Sequence, residues 1–204
     1  MSEPASVVLA TRNAHKVAEL GRILLAEGLD DVRIVGVDAF PDVPEVPETG
    51  TTFAANALLK ATAVAEAVGR PAVADDSGLC VDVLGGSPGV FSARWCGRHG
   101  DDQANLDLLL AQLGDVPDEY RAAQFVCAAA LALPDGRTRV VEGVLRGSLI
   151  RSRRGTNGFG YDPIFLPDGG TRTTAELSAL EKDAISHRGR AMRALVPVLR
   201  ELVG

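Results

Sequence analysis

The chain has 204 residues, 46% hydrophobic and only 4% aromatic, with a formal net charge of −6. That is enough apolar chain for one large domain whose core is built from Ala, Val and Leu, and it excludes a disordered polymer. The acidic balance argues against a protein that wraps nucleic acid, although a small phosphorylated ligand needs only a local cationic pocket.

Val7–Ala10 reads as a buried strand, followed by a helix from about Ala14 to Glu27 with Val17, Leu20, Ile23 and Leu24 at helical spacing and Gly28 as its stop. Residues 38–50 are rich in Pro, Asp, Glu and Val and read as loop or edge. Thr51 or Thr52 caps a second helix that runs to about Val68 and stops at Gly69. Short strands are expected near 72–75 and 79–84, separated by a turn on Gly78, and 85–89 is a loop. A helix covers roughly 102–113. Long strands at about 122–133 and 137–147 flank Pro134-Asp135-Gly136, a hairpin signal. Residues 151–162 form a loop rich in Gly and Arg, and 164–166 a short strand. Thr173-x-x-Glu176 has the pattern of a capping box opening a helix, and a last helix over 187–203 is kinked at Pro197. Strand–helix units mixed with one long hairpin predict an α/β fold: an elongated mixed β-sheet flanked by helices, a single domain over residues 1–204 with two lobes and an active-site cleft between them.

No apolar run is long enough to span a membrane, and Met1-Ser-Glu-Pro-Ala lacks the basic segment and apolar core of a signal peptide. Cys80, Cys96 and Cys127 are odd in number, scattered and without metal-ligand spacing, which fits reduced thiols and a cytoplasmic protein. Among 21 basic residues only Lys16, Lys60 and Lys182 are lysines. A chain that otherwise uses Arg retains Lys where a compact ammonium is needed, or by chance.

The most informative stretch is Ala72-Val-Ala-Asp75-Asp76-Ser77-Gly78-Leu79. Two adjacent carboxylates repel unless a cation or a shared proton relieves them, and a divalent metal with oxygen ligands is one resolution. An acidic surface turn is the other. Thr11-Arg12-Asn13-Ala14-His15-Lys16 follows a strand and opens a helix, so it is either a plain capped helix start or an anion cradle of free N–H groups, side-chain donors and an ammonium. Glu48-Thr49-Gly50 precedes a helix on which Asn56 and Lys60, four residues apart, share a face. Gly158-Phe159-Gly160-Tyr161-Asp162 is a tight turn with a core aromatic or a platform for a base, with Asp162 as an acceptor for a ligand. Ser186-His187-Arg188 opens the last helix, where donors can read a base edge or simply cap.

Taken together, Thr11-x-Asn13-x-x-Lys16, Glu48-Thr49-Gly50, Asp75-Asp76-Ser77-Gly78-Leu79, Gly85-Gly86-x-Pro88-Gly89-x-x-Ser92-Ala93-Arg94, Phe159-Gly160-Tyr161-Asp162 and Ser186-His187-Arg188-Gly189 resemble, in order and over about residues 7–200, the inosine triphosphate pyrophosphatase family. Arg12 and His15 depart from the small residues common there. The resemblance implies Mg²⁺-dependent hydrolysis of non-standard purine nucleoside triphosphates (ITP, dITP, XTP) between the α- and β-phosphates, releasing the monophosphate and pyrophosphate. It implies that Glu48 and Asp76, with Asp75 as a further ligand, hold Mg²⁺, and that Asp76 is the general base. Thr11, Arg12, Asn13, Ala14, His15, Lys16 and Arg94 are then expected at the polyphosphate and Ser77 beside the base. Phe159 is expected to stack on the purine in the segment with Gly160, Tyr161 and Asp162, and Lys182, His187 and Arg188 to contact the nucleoside end. A homodimer is also implied.

Donors aimed at the C6 oxygen of hypoxanthine or xanthine would meet an amino group in ATP, and such mispairing of buried polar groups discriminates by roughly 10⁴-fold. Two rivals remain at this level. One is a pyrimidine nucleotide pyrophosphatase of related fold; the other is a nucleotide sensor without turnover, which has little need of a base beside a metal.

Overall fold

Residues 6–28 and 33–203 are described by a computed structural model, and the side chains of His15, Leu202 and Val203 lie outside what it describes. Among the described residues six strands form one sheet: β1 (Ser6–Leu9), β2 (Arg33–Gly36), β3 (Ala72–Val81), β4 (Ala122–Ala132), β5 (Thr138–Leu149) and β6 (Phe165–Pro167), in the order β2-β1-β3-β4-β5-β6. β1 runs parallel to β2 and β3, whereas β5 and β6 are antiparallel, so the sheet is mixed. Five helices accompany it among the described residues: α1 (Ala14–Ala26), α2 (Phe53–Val68), α3 (Asp102–Gln112), α4 (Ala179–Ile185) and α5 (His187–Val203). This is the α/β fold that the sequence predicts. No described helix is long and apolar enough to cross a membrane.

The chain divides into two compact units. Unit 1 comprises residues 1–76, 127–143 and 188–204; unit 2 comprises 77–126 and 144–187. Unit 1 holds two apolar clusters, sorted by strand alternation. Val7, Leu9, Val73, Cys127, Ala129 and Leu131 pack with α1 and α5 residues such as Leu20, Leu24, Met192 and Leu195. Their neighbours in sequence, Val8, Ala72, Ala74, Ala128 and Ala130, pack with α2 through Ala57, Ala61 and Val64. Both faces are therefore covered, and the alanines on the second face let α2 lie close to the sheet. Unit 2 has one cluster, in which Leu79, Phe125, Leu145, Ile164 and Phe165 meet Leu106 and Leu109 of α3.

Local signals explain most boundaries. The Thr52 side chain accepts from Ala55 N at the start of α2, and Gly69, in the left-handed region at φ 65°, ends it. The β4–β5 hairpin closes through Leu133 N to Arg137 O, with Gly136 at φ 88°.

Three expectations change. β3 does not turn at Gly78: it is a single ten-residue strand, and residues 82–84 form a 3₁₀ turn instead of strand. The Asp-Asp-Ser-Gly run looks like a turn, but its carboxylates find cations and its backbone finds sheet neighbours. The Thr173/Glu176 capping box forms, yet it opens only the 3₁₀ turn Thr174–Glu176; a second box, Ser178/Glu181, opens α4. β2 went unpredicted. Finally, the Arg-rich start of the 151–162 loop is tied down by its own arginines. Arg151 bonds Asp118 and two carbonyls, Arg153 bonds Asp107, and Arg154 bonds Thr171 O and pairs with Glu176. Gly155, at φ 82°, sits so close to the Ala175 backbone that a Cβ would lie 2.3 Å from it.

Candidate active site

β1 reaches only to Leu9, which registers with Val73, so Asp75 and Asp76 lie where β3 passes the carboxyl end of its parallel neighbour. Ligands of parallel sheets gather at this end. Adjacent strand residues face opposite ways. Asp75 shares the parity of Val73 and faces the α1/α5 side; Asp76 shares that of Ala74 and faces α2.

On the α2 side, Asp76 is 7% exposed. Its Oδ2 accepts from Asn56 Nδ2 at 2.9 Å, and its Oδ1 lies 3.9 Å from Lys60 Nζ. Lys60 Nζ also donates to Glu48 Oε1 at 2.7 Å. One ammonium thus bridges two carboxylates. Burial pushes the Asp76 carboxyl above its ordinary range; Lys60 opposes the shift and Glu48 adds to it. For Lys60, burial favours the neutral amine, but Asp76, Asp75 and Glu48 together outweigh it and hold the ammonium charged, with its pKa raised.

On the opposite side, Asp75 is fully buried. Its Oδ2 lies 3.0 Å from Lys16 Nζ and accepts from Arg188 Nε at 3.2 Å. Arg188, 2% exposed, also donates Nη1 to Glu19. Burial alone would raise the Asp75 carboxyl; Lys16, Arg188 and Lys60 overcome it and hold it well below the usual carboxylate range. Burial likewise works against the Arg188 charge, and Asp75 and Glu19 reverse it. The structure therefore brings Glu48 and Asp76 together but does not bring Asp75 to them as a third metal ligand. Arg188, expected at a base edge, is engaged at Nε and Nη1 with buried carboxylates.

The segment Thr11–Lys16 links β1 to α1. Thr11 Oγ1 accepts from Asn13 N just ahead of α1, and Asn13 Oδ1 accepts from Lys16 N and so caps the helix start. Arg12 donates to Val43 O at 2.7 Å and lies 3.5 Å from Asp38. Arg12, Asn13 and Ala14 are exposed, and the His15 side chain falls outside the described residues.

The other motif residues lie in unit 2. Ser77 and Arg94 are half-buried, and the Arg94 guanidinium sits 5.3 Å from the Phe91 ring centre. Asp162 is buried: it accepts from Phe159 N and Thr174 Oγ1 and pairs with Lys182. Its Oδ2 takes two of these contacts and holds the turn together. Gly158, at φ 75°, fits this turn because a Cβ would clash with Asp162. Gly160 N donates to Asp102, and the buried Tyr161 donates its hydroxyl to Ser92 O. The half-buried Phe159 ring has Lys182 Nζ 5.3 Å from its centre. His187, 5% exposed, stacks on Phe125 at 4.8 Å and 12°. All three lysines sit against carboxylates.

Comparison with known proteins gives this arrangement a context. Residues 7–198 match the model of the Ham1 family. The chain belongs to the Ham1 family. It is 69% identical over 198 residues to a dITP/XTP pyrophosphatase of Streptomyces avermitilis, covering 97% of this chain and 98% of that one. A crystal structure of a nucleoside-triphosphatase/dITP/XTP pyrophosphatase from Mycobacterium abscessus is 56% identical, covers 96% of this chain and 100% of its own, and superposes with a TM-score of 0.77. A HAM1 protein from Coxiella burnetii superposes with a TM-score of 0.86 at 41% identity, covering 97% and 99% of the two chains.

In this Ham1-family chain the sequence reading passed over two residues as site members, Asn56 and Lys60. Their signal was present: both lie on one face of α2, four apart, just after Glu48-Thr49-Gly50. Among the described residues no group of three or more His, Cys, Asp or Glu is set to hold a metal ion. Mg²⁺ does not need one, since it keeps several waters and is held by one or two carboxylates together with substrate phosphates. Two carboxylates already sharing one cation, Lys60, are a donor set of that kind.

Proposed function

We propose that this chain hydrolyses the non-standard purine nucleoside triphosphates ITP, dITP and XTP at the bond joining the α- and β-phosphates, yielding the monophosphate and pyrophosphate. The observation that supports this most strongly is the Glu48–Lys60–Asp76 cluster at the carboxyl end of β3, in a chain 69% identical to a dITP/XTP pyrophosphatase.

Glu48 and Asp76 are the proposed Mg²⁺ holders. When bound, the metal supplies charge neutralisation at the phosphates and polarises water. Asp76 takes the proton from the attacking water. The water oxygen bonds to the phosphorus under attack as the P–O bond of the α–β bridge breaks, and the electron pair of that bond leaves with the bridging oxygen of the departing group. A carboxylate whose pKa burial raises is a better proton acceptor near neutral pH than an ordinary Asp. Asn56 and Lys60 keep it ionised by donating to it or facing it. Lys16, at the start of α1, and Arg94 are assigned to the polyphosphate, with Thr11, Arg12, Asn13, Ala14 and His15 lining its approach. Ser77 follows the base, Phe159 with Gly160 is assigned to the purine ring, and Lys182 and His187 support that end. The protein is proposed to act as a cytoplasmic homodimer.

The test is release of pyrophosphate and monophosphate with Mg²⁺ from ITP, XTP, GTP and ATP at equal concentration. Pyrophosphate from ITP and XTP, with much slower GTP and ATP, is expected. Release of single phosphates, or no turnover of any purine, would overturn the reading.

A further inference from the structure

Asn56 is fully buried at the first turn of α2, and both ends of its amide are used. Its Oδ1 accepts from Gly50 N at 2.7 Å, and its Nδ2 donates to Asp76 Oδ2 at 2.9 Å. Only this orientation serves both partners, since a backbone N–H needs an acceptor and a carboxylate a donor. Gly50 lies two residues after Glu48. A Cβ at Gly50 would come within 2.7 Å of Asn56 Oδ1 and 2.8 Å of Ala55 Cβ, so the loop lies directly on the amide.

We infer that Asn56 is a positioning residue that sets the spacing between the two metal-holding carboxylates, by tying the Glu48 loop to one oxygen of Asp76 through a single buried amide. With Oδ2 engaged by Asn56, Oδ1 is the oxygen of Asp76 that lies 3.9 Å from Lys60 Nζ, the ammonium that also donates to Glu48. The tie runs through one rigid side chain on a helix, which is how outer partners orient metal-holding groups. The inference rests on Asp76 and Glu48 acting as proposed above.

Asn56→Ala removes both bonds while leaving both carboxylates. Expected is a kcat for ITP lowered by roughly 10- to 100-fold, with KM little moved. Mn²⁺ binding to the nucleotide-free full chain, read by electron paramagnetic resonance, is expected to weaken by a similar factor. A folded variant with a lowered melting temperature but wild-type kcat and Mn²⁺ affinity would reduce Asn56 to a packing residue and overturn the inference. If Asn56→Ala does not fold, Gly50→Ala probes the same tie from the other end, because its methyl pushes against Asn56 Oδ1. Weaker Mn²⁺ binding and lower kcat are again expected, and unchanged values would overturn the inference. Asp76→Asn, measured alongside, separates the two readings. Near-normal turnover in it sinks the assignment of the base, whereas a dead Asp76→Asn with normal Asn56 and Gly50 variants sinks only the role of Asn56.

Discussion

Asp75 and Asp76 are neighbours in one strand, yet the two faces of β3 treat them oppositely. Asp75 is enclosed on the α1/α5 face by Lys16 and Arg188, and its carboxyl is driven down. Asp76, on the α2 face, meets one amide, one shared ammonium and another carboxylate, and its carboxyl is driven up. The difference shows that a doubled acidic motif need not be a doubled ligand set. Strand alternation places one member against α1 and α5 and the other, the proposed base, against α2. The Asp75 network joins α1, β3 and α5, three elements far apart in sequence, while Glu48, Asn56, Lys60 and Asp76 span 29 residues and depend on one helix start.

The largest effect expected is at Asp76. Asp76→Asn keeps the shape and removes the proposed base, so kcat should fall by roughly 10²- to 10⁴-fold while nucleotide still binds. Single-turnover kinetics together with a nucleotide-binding isotherm would show this. Comparable turnover in Asp76→Asn would erase the functional half of the comparison.

The second effect is on stability, and its sign separates the two faces. Asp75→Ala leaves Lys16 and Arg188 facing a void, and breaking a buried ion pair from one side costs about 3–5 kcal/mol. Because the native Asp75 pKa is lowered, its contribution is present above the ordinary carboxylate value of 3.8 and is lost as pH falls toward the native value. Asp76 runs the other way. Its native pKa is raised, so ionised Asp76 costs the native state stability at neutral pH, and the cost disappears as pH falls through its native pKa. In urea titrations without divalent metal, Asp75→Ala should be destabilised at pH 7 and show a flatter acid limb. Asp76→Asn should be no less stable than wild type. Destabilisation of both to the same degree would mean the two faces are alike.

Lys60→Met is the third. Without the shared ammonium, Glu48 and Asp76 repel across the α2 face, so the Asp76 carboxyl should rise further. The acid limb of the kcat/KM profile should move to higher pH, and above that limb less Mg²⁺ should be needed for half-activation, because no ammonium competes for the two carboxylates. An acid limb at the wild-type position would remove Lys60 from the electrostatics of the base.

The fold was legible wherever the signal is local. Thr52 and Gly69 bound α2 as read, and Pro134-Asp135-Gly136 closes the hairpin. What was misread depended on distant partners. Asp-Asp-Ser-Gly carries turn residues, and only Arg188, 113 positions away, together with Lys16 and Asn56 makes a buried strand of it. β2 is four residues long and starts on an exposed Arg, too short for alternation to show. The site was legible as a set of residues but not as a geometry. Parity along β3 was available in the sequence, and it would have parted Asp75 from Asp76 had the strand been read as continuous. The buried pairing of Arg188 was not legible because its carboxylate partners, Glu19 and Asp75, lie more than a hundred positions away.

The smallest predicted effect probes the Asp75 face through Cys127. Its thiol is fully buried, with Sγ 3.9 Å from Asp75 Oδ2, while Cys80 and Cys96 are only half-buried. Burial pushes the Cys127 thiol well up, and the Asp75 charge pushes it further. Thiolate is the reactive form, so a thiol reagent on the native protein should label Cys80 and Cys96 and spare Cys127. Asp75→Asn removes the second of these causes and leaves the first. Cys127 should therefore gain only a little reactivity in that variant, provided the α1/α5 face stays closed. Mass spectrometry of the labelled sites distinguishes the cases. A small gain means the carboxylate acts on the thiol by charge alone. Full labelling at the rate of Cys80 means that the Asp75 network is what keeps α1 and α5 on the sheet, and that losing one charge opens the whole face.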